Sequence, residues 1–272
     1  MDVGLGTWRR DPGTVVLNGE PMPAGAPAGA IVAESGPLAV PTEWLPHTHP
    51  VHELVWVRGG TLTSRIGSRI FTVPPGFGLW VPAEVVHGGR LTAGVELHAA
   101  FFAPERTPVE FAGPTSIAVT PLLESLLLRL TRDDLSAEAR ARTEAVVFDV
   151  LEPSERQFAL DLPGDARIDP IAEALLRDPA DERGLLEWAA FLGTSDRTIT
   201  RAFREATGLS FAQWRQALRV HEALALLSAG AEVREVSERL GYAQPSTFIA
   251  AFRRVMKVTP ARSMSGNPYR LS

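Results

Sequence analysis

Between about residues 14 and 102 the chain alternates short β-branched or aromatic runs with Gly and Pro: TVVL, AIVAE, HELVWVRGGTLTSRI, RIFTVPPGFGLWVP and GVELHAAFF. Short strands separated by turn residues predict a β-sandwich or small barrel. From 117 to 151 leucine and alanine recur at helical spacing, in PLLESLLLRLTR and SAEARARTEAVVFDVL, predicting two helices that close a first domain. Their leucines (Leu122, Leu123, Leu126, Leu127, Leu130) exceed what one buried face needs, so this segment is the expected coupling and dimerisation element. LPGDARIDP, Leu162 to Pro170, has the Pro, Gly and Asp content of a connector. Everything beyond it reads as helix. The expected organisation is multi-domain α+β: a first domain over 1–160, a linker at 161–169 and an all-α domain over 170–272.

The helical third contains a weak internal repeat. LLEWAAFLGTSDRTITRAFREATGLS and VREVSERLGYAQPSTFIAAFRRVMKVTP each hold an apolar helix ending in Leu-Gly, a turn, and a second helix with an aromatic anchor, Phe203 or Phe252. Glycine permits the sharp turn, Ser195 suits an N-cap, and Ile199 and Phe203 sit at i, i+4: this is helix-turn-helix grammar. Between the copies, SFAQWRQALRVHEALALLSAG has Ser210 as cap, Phe211, Trp214 and Leu218 on one face, and Gly230 as stop. A helix of about 18 residues is roughly 27 Å long. Successive major-groove segments lie about 34 Å apart, so one chain can serve two of them.

Composition narrows the chemistry. With no cysteine there is no disulfide, thiolate metal site or cysteine nucleophile, and any metal must use histidine and carboxylate. Net charge is −5, but unevenly spread: residues 1–166 hold 12 Arg against 20 acids, net −8, and residues 167–272 hold 15 Lys and Arg against 12 acids, net +3. Only the C-terminal part is basic. No apolar run reaches the roughly 18 residues of a membrane span, and MDVGLGTWRRDPG lacks a secretory h-region, so the expected location is the cytoplasm.

SDRTITRAFREATGLSFAQWR and GYAQPSTFIAAFRRVMKVTPARS together resemble the DNA-binding domain of AraC/XylS-type transcription regulators, over about residues 168 to 265. The resemblance implies two helix-turn-helix units that bind double-stranded promoter DNA. It implies that Arg197, Thr200 and Arg201 point into the groove, where arginine can bond guanine bidentately and threonine can meet a base edge or a thymine methyl. In the second unit the corresponding positions are Pro245, Ser246, Ile249 and Ala250, poor in donors. Ser246 and Ile249 are the expected base contacts there, with Arg253, Arg254 and Lys257 on phosphates.

The first domain has its own cluster, HTHPVHELVWVRGG, with three of the six histidines and a glutamate in seven positions. On a strand His47, His49 and Glu53 share a face and His52 points away. A straight strand would hold residues 47 and 53 about 20 Å apart, too far for one ion, so the chain must bend, and Pro50 is the expected break. The stretch resembles the first cupin motif, His-x-His-x3-Glu-x6-Gly, ending at Gly60. GFGLWVPAEVVH supplies Gly76, Pro82 and His87 of the second, with Glu84 in place of its second glycine and Leu91 in place of its asparagine. A cupin-like barrel over residues 30–105 is implied, with His47, His49, Glu53 and His87 as ligands for Zn²⁺, Ni²⁺, Fe²⁺ or Mn²⁺, or as polar lining of an organic-ligand pocket. His98 and Glu96 line the cup or lie at the surface; Trp44, Trp56, Phe77 and Trp80 read as core or pocket wall.

The expected function is a one-component transcription regulator, with no catalytic residues, whose barrel senses a metal or small molecule and modulates promoter binding. The competing expectation is a cupin metalloenzyme, dioxygenase-like, tethered to a DNA-binding module.

Overall fold

The computed structural model of the chain describes residues 10, 13–19 and 29–261; the opening MDVGLGTWR and the end of the second motif, 262–265, lie outside them. The chain divides into two compact units. One holds Gly13–Ile66 and Phe71–Phe158, the other Gly67–Ile70 and the described residues from Ala159 onward.

The first unit pairs two sheets. In one the order is β1 (Val15–Leu17), β3 (Thr42–His47), β8 (His87–Leu91), β5 (Leu62–Ile66) and β6 (Arg69–Val73). In the other it is β10 (Thr115–Ala118), β7 (Phe77–Val81), β4 (His52–Arg58), β9 (Val95–Phe102) and β2 (Ile31–Leu38). β1 runs parallel to β3, while β3 and β5 pair antiparallel with β8, and β4 pairs antiparallel with β7 and β9. The bend expected at Pro50 is realised as a change of sheet: His47 ends β3 in one, and His52 opens β4 in the other.

Two-residue periodicity then divides each strand between two environments. Along β9, Leu97, Ala99 and Phe101 face an internal cup, while His98, Ala100 and Phe102 are buried. The face that carries Ala100 and Phe102 is covered by α1 (Pro121–Leu130) and α2 (Ala137–Val150). Thr120 and Ser136 cap these helices, accepting from the N–H of Leu123 and Ala139. Leu123, Leu127, Leu130 and Val147 pack with Leu54, Trp56, Trp80, Ala100 and Phe102. Each of the leucine, valine and phenylalanine side chains contributes about 1.5–3 kcal/mol by leaving water. Leu122 remains exposed. Residues 115–118, partly within the segment expected to be helical, form β10 on the edge of β7, and helix begins only at Pro121, whose fixed φ suits the first turn.

Apart from β11 (Ala159–Asp161) and residues 67–70, which include the start of β6, the described regular structure of the second unit is helical: α3 (Asp169–Arg177), α4 (Leu185–Leu192), α5 (Asp196–Thr207), α6 (Phe211–Ser228), α7 (Val233–Arg239) and α8 (Pro245–Met256). Both Leu-Gly turns form, with Gly193 at φ +63° and Gly241 at φ +72°, a region glycine enters without steric cost. Ser195 caps α5 by accepting from the N–H of Thr198. Ser210 and Gln213 form a reciprocal capping box at α6, which is 18 residues long. Trp188, Ile199, Phe203, Phe211, Trp214 and Leu218 share one core, and Phe248 and Phe252 are fully buried behind α8. Within 161–169, Leu162 and Ile168 are buried in that core, and the Trp214 indole N–H donates to the Asp161 carbonyl at 2.7 Å. This segment is packed in place: its apolar side chains outweigh its loop-like composition.

Candidate functional site

The cup between the sheets has a volume of about 420 Å³. Its walls are mainly apolar, with Trp44, Val55, Leu62, Leu91, Leu97 and Phe101 among them, and His47, His49, Glu53 and His87 are gathered at one place on them. His47 of β3 stands in register with His87 of β8, and Glu53 reaches in from β4. The imidazole centroids of His47 and His87 are 4.3 Å apart, and those of His49 and His87 4.9 Å.

Backbone carbonyls orient these rings. Each Nδ1 lies against a carbonyl two residues away: His47 on Leu45 at 2.8 Å, His49 on Val51 at 2.8 Å, His87 on Val85 at 2.9 Å. A carbonyl only accepts, so all three Nδ1 atoms donate, and each Nε2 is left for the interior, as a lone pair in the neutral ring and as a donor in the protonated one. Glu53 Oε2 lies 3.4 Å from His49 Nε2 and 3.3 Å from His87 Nε2. His87 Nε2 is buried and makes no hydrogen bond among the described residues. Lone pairs facing a carboxylate repel unless a cation, a proton or a metal, lies between them.

The electrostatics agree with a cation-seeking site. Burial raises the Glu53 carboxyl, but the hydrogen bond from His49 and the positive charge that His49 and His87 carry when protonated overcome it and bring its pKa down to about 2. For His49, burial favours the neutral ring, but the hydrogen bond and charge of Glu53 prevail and raise its pKa. Burial lowers that of His47. One ligand atom from each of His47, His49 and His87 lies within 4.8 Å of the others. Three imidazoles oriented by backbone carbonyls, beside one carboxylate, fit a divalent transition metal by donor type and outer-shell support.

Two positions in the cupin-like motifs show how the sequence departs without losing geometry. Glu84, where the motif has glycine, holds φ +62° and donates its N–H to the His49 carbonyl at 2.9 Å; the turn forms with a side chain bearing the left-handed strain. Leu91 becomes apolar wall. His52 turns away as expected, stacking on Trp80 and accepting from the Ala83 N–H at 3.0 Å. His98 departs from both readings of it: it is fully buried on the side of β9 away from the cup, stacked on Trp56 at 5.0 Å. Glu34, Ser64 and the backbone of Gly19, which lies against the His47 ring, belong to the site's surroundings and carried no signal in sequence.

In the helical unit, Arg197 and Arg201 are exposed on α5, on the side opposite buried Ile199 and Phe203. Among the described residues Arg201 makes only a long ion pair with Glu205, 3.7 Å, and so is available to another acceptor. Thr200 spends its hydroxyl proton on the Asp196 carbonyl, 2.9 Å, leaving lone pairs and a methyl. Arg204, seven residues beyond Arg197, is exposed and extends this face; the i, i+7 spacing was its signal. On α8, Ser246, Ile249, Ala250, Arg253 and Arg254 line one shallow hollow. Lys257 closes α8 as its C-cap at φ +59°.

These features define a class: a protein with a ligand-sized barrel cup in one unit and paired helix-turn-helix units in another. Residues 43–148 match the family described as the AraC-like ligand binding domain, and residues 188–264 match a helix-turn-helix domain. The chain is 32% identical over 221 residues to the HTH-type transcriptional regulator NimR of Escherichia coli K12, covering 79% of this chain and 80% of that protein. It is 30% identical over 215 residues to the HTH-type transcriptional regulator RipA of Corynebacterium glutamicum, covering 78% and 62%. Among solved structures, fatty-acid-bound ToxT of Vibrio cholerae aligns over 89% of this chain and 96% of its own at 11% identity, TM-score 0.37. The chain belongs to the AraC family of helix-turn-helix transcription regulators: it is a DNA-binding regulator with an N-terminal ligand-binding domain, and its relatives are regulators rather than enzymes. No helix among the described residues is long and apolar enough to cross a membrane.

Proposed function

We propose that the cup senses a divalent transition metal, alone or with a small organic effector, and that its occupancy modulates promoter binding by the helical unit. The observation that carries this is the trio of Nδ1 donors, which leaves three Nε2 lone pairs converging beside Glu53. His47, His49, Glu53 and His87 would hold the ion, with Zn, Ni, Fe and Mn all compatible with the donors. The ion would supply an electrophilic centre at the polar end of an otherwise apolar cup. An effector alters DNA affinity only by binding one state of the regulator more tightly than another, and the helices at 117–151 are the segment assigned to that coupling and to homodimer formation.

On DNA, Arg197, Thr200 and Arg201 read base edges from α5, and Ser246 and Ile249 from α8; Arg253, Arg254 and Lys257 hold phosphates. The working division is a sensor over 1–160, a joining segment at 161–169 and a DNA-binding domain over 170–272, acting in the cytoplasm.

The test combines elemental analysis of purified protein with promoter binding by His49→Ala. The variant is expected to lose bound metal and effector response while its unregulated DNA binding stays measurable. An unchanged response in the metal-free variant refutes the metal-sensing version.

A further inference from the structure

Between α6 and the turn that leads into α8 lies a second, smaller hollow, about 150 Å³, lined by Ala212, Arg215, Gln216, Arg219 and Tyr242. It is well below the roughly 300–1,000 Å³ of a site for a drug-sized ligand, but it has room for a tetrahedral anion.

Its floor is rigid. Arg219 is buried, donating from Nε to the Pro179 carbonyl at 2.7 Å and from Nη2 to the Asp181 carbonyl at 3.3 Å, with its guanidinium 5.4 Å from the Tyr242 ring. Gly241 packs so closely here that a Cβ would meet the Ala180 carbonyl oxygen at 3.0 Å, which pins the loop before α4 to the turn of the second helix-turn-helix unit. Arg215 lies over the Phe211 ring and donates from Nη1 to the Arg183 carbonyl at 3.0 Å. A guanidinium carries five N–H donors, so these bonds use only part of what the two arginines offer. The carboxylate of nearby Asp181 is engaged by the Arg183 fork. Burial and the proximity of Arg215 both disfavour the charge on Arg219, and an anion between them offsets both.

The hollow adjoins the face of α8 assigned to DNA. Arg254 donates to Gln216 Oε1, on the rim of this hollow, at 3.2 Å, and on its other side lines the separate shallow hollow of α8 with Ser246, Ile249 and Arg253.

We infer that Arg215, Gln216, Arg219 and Tyr242 form a seat for one backbone phosphate of duplex DNA, rimmed by Arg254, beside the groove that α8 enters. The inference rests on the DNA-binding reading above. Its use is register: a phosphate held between the two helix-turn-helix units fixes where both recognition helices meet the bases without reading sequence itself.

The experiment uses the full chain and a duplex that the wild type selects from a randomised pool. Affinity is measured from 50 to 200 mM salt for wild type, Arg215→Met and Arg215→Lys, with melting curves to confirm folding. Losing one phosphate contact lowers the salt slope by about 0.9, so the ratio of affinities at the two ends shrinks about 3.5-fold in Arg215→Met. The affinity loss is expected to be equal on selected and random DNA, and Arg215→Lys to recover part of it. A methylphosphonate scan should find one position that weakens the wild type but not Arg215→Met. An unchanged slope, a loss confined to the selected duplex, or inorganic phosphate binding at the hollow with no change in the DNA slope each overturns the assignment. Failure of the wild type to select any duplex would instead refute the DNA-binding reading.

Discussion

Removing His87 from the cup gives a quantitative test of what the cup holds. His87 Nε2 is buried without a hydrogen bond among the described residues and faces Glu53, so on the proposed reading a cation completes this geometry. At a metal concentration 100 times its Kd, binding to the folded state contributes about 2.7 kcal/mol. At about 2–4 °C per kcal/mol for a domain of this size, the melting midpoint should rise by about 5–10 °C over the chelator-treated protein. Changes to groups that merely orient a ligand cost up to about 100-fold in affinity, so losing a ligand outright costs at least that. In His87→Ala the same metal concentration then stands near the new Kd, leaving about 0.4 kcal/mol and a shift of about 1–2 °C. Differential scanning fluorimetry with Zn²⁺, Ni²⁺, Fe²⁺ and Mn²⁺ reads both shifts, each against that variant's own metal-free melt, which removes the cost of the substitution itself. Equal shifts in the two proteins, or none in the wild type with any of the four ions, refute the assignment.

Three further outcomes follow from other parts of the molecule. Arg201→Ala is expected to cost about 1–3 kcal/mol on the selected operator and less on random duplex, measured by fluorescence anisotropy; an equal loss on both would reassign Arg201 to phosphate. His221 is buried in α6, and burial lowers its pKa from 6.5 to about 4, so the unfolded chain takes up a proton that the folded chain refuses. Its contribution is complete above about pH 6.5 and declines by about 3 kcal/mol as pH falls to 4; urea titrations of His221→Leu should show this slope removed, and parallel profiles would refute it. Lys257→Gly relieves the left-handed strain at the end of α8 and should raise stability by up to about 1 kcal/mol while weakening DNA uniformly; sequence-selective weakening would mean that Lys257 reads bases.

Local signals carried far in this chain because several of its decisive features are local. A Leu-Gly before a serine cap, a Ser-x-x-Gln box at α6 and Phe203 four residues after Ile199 are set by neighbours within one or two turns, and each formed as written. The cupin-like spacing of His47, His49, Glu53 and His87 likewise pointed to a cluster, and the fold brings these four side chains together. Where local and non-local preferences competed, the non-local one won. Residues 115–118 became strand because the edge of β7 was there to pair with, and Leu162 and Ile168 were buried because Trp214 and its neighbours offered a core. His98 obeyed strand alternation, but which face of β9 met the cup depended on where α1 packed.

The sequence by itself therefore determined the two kinds of unit, the helix-turn-helix repeats and the four candidate ligands, since these depend on spacing and residue type. Only the tertiary structure decided which imidazole nitrogen is free, that Glu84 takes the turn of a glycine, and that Arg215, Arg219 and Tyr242 share a hollow. Each of those depends on a carbonyl, a turn or a side chain brought close by folding, and the free energy of a hydrogen bond or an ion pair is set by distance in space, not by separation along the chain.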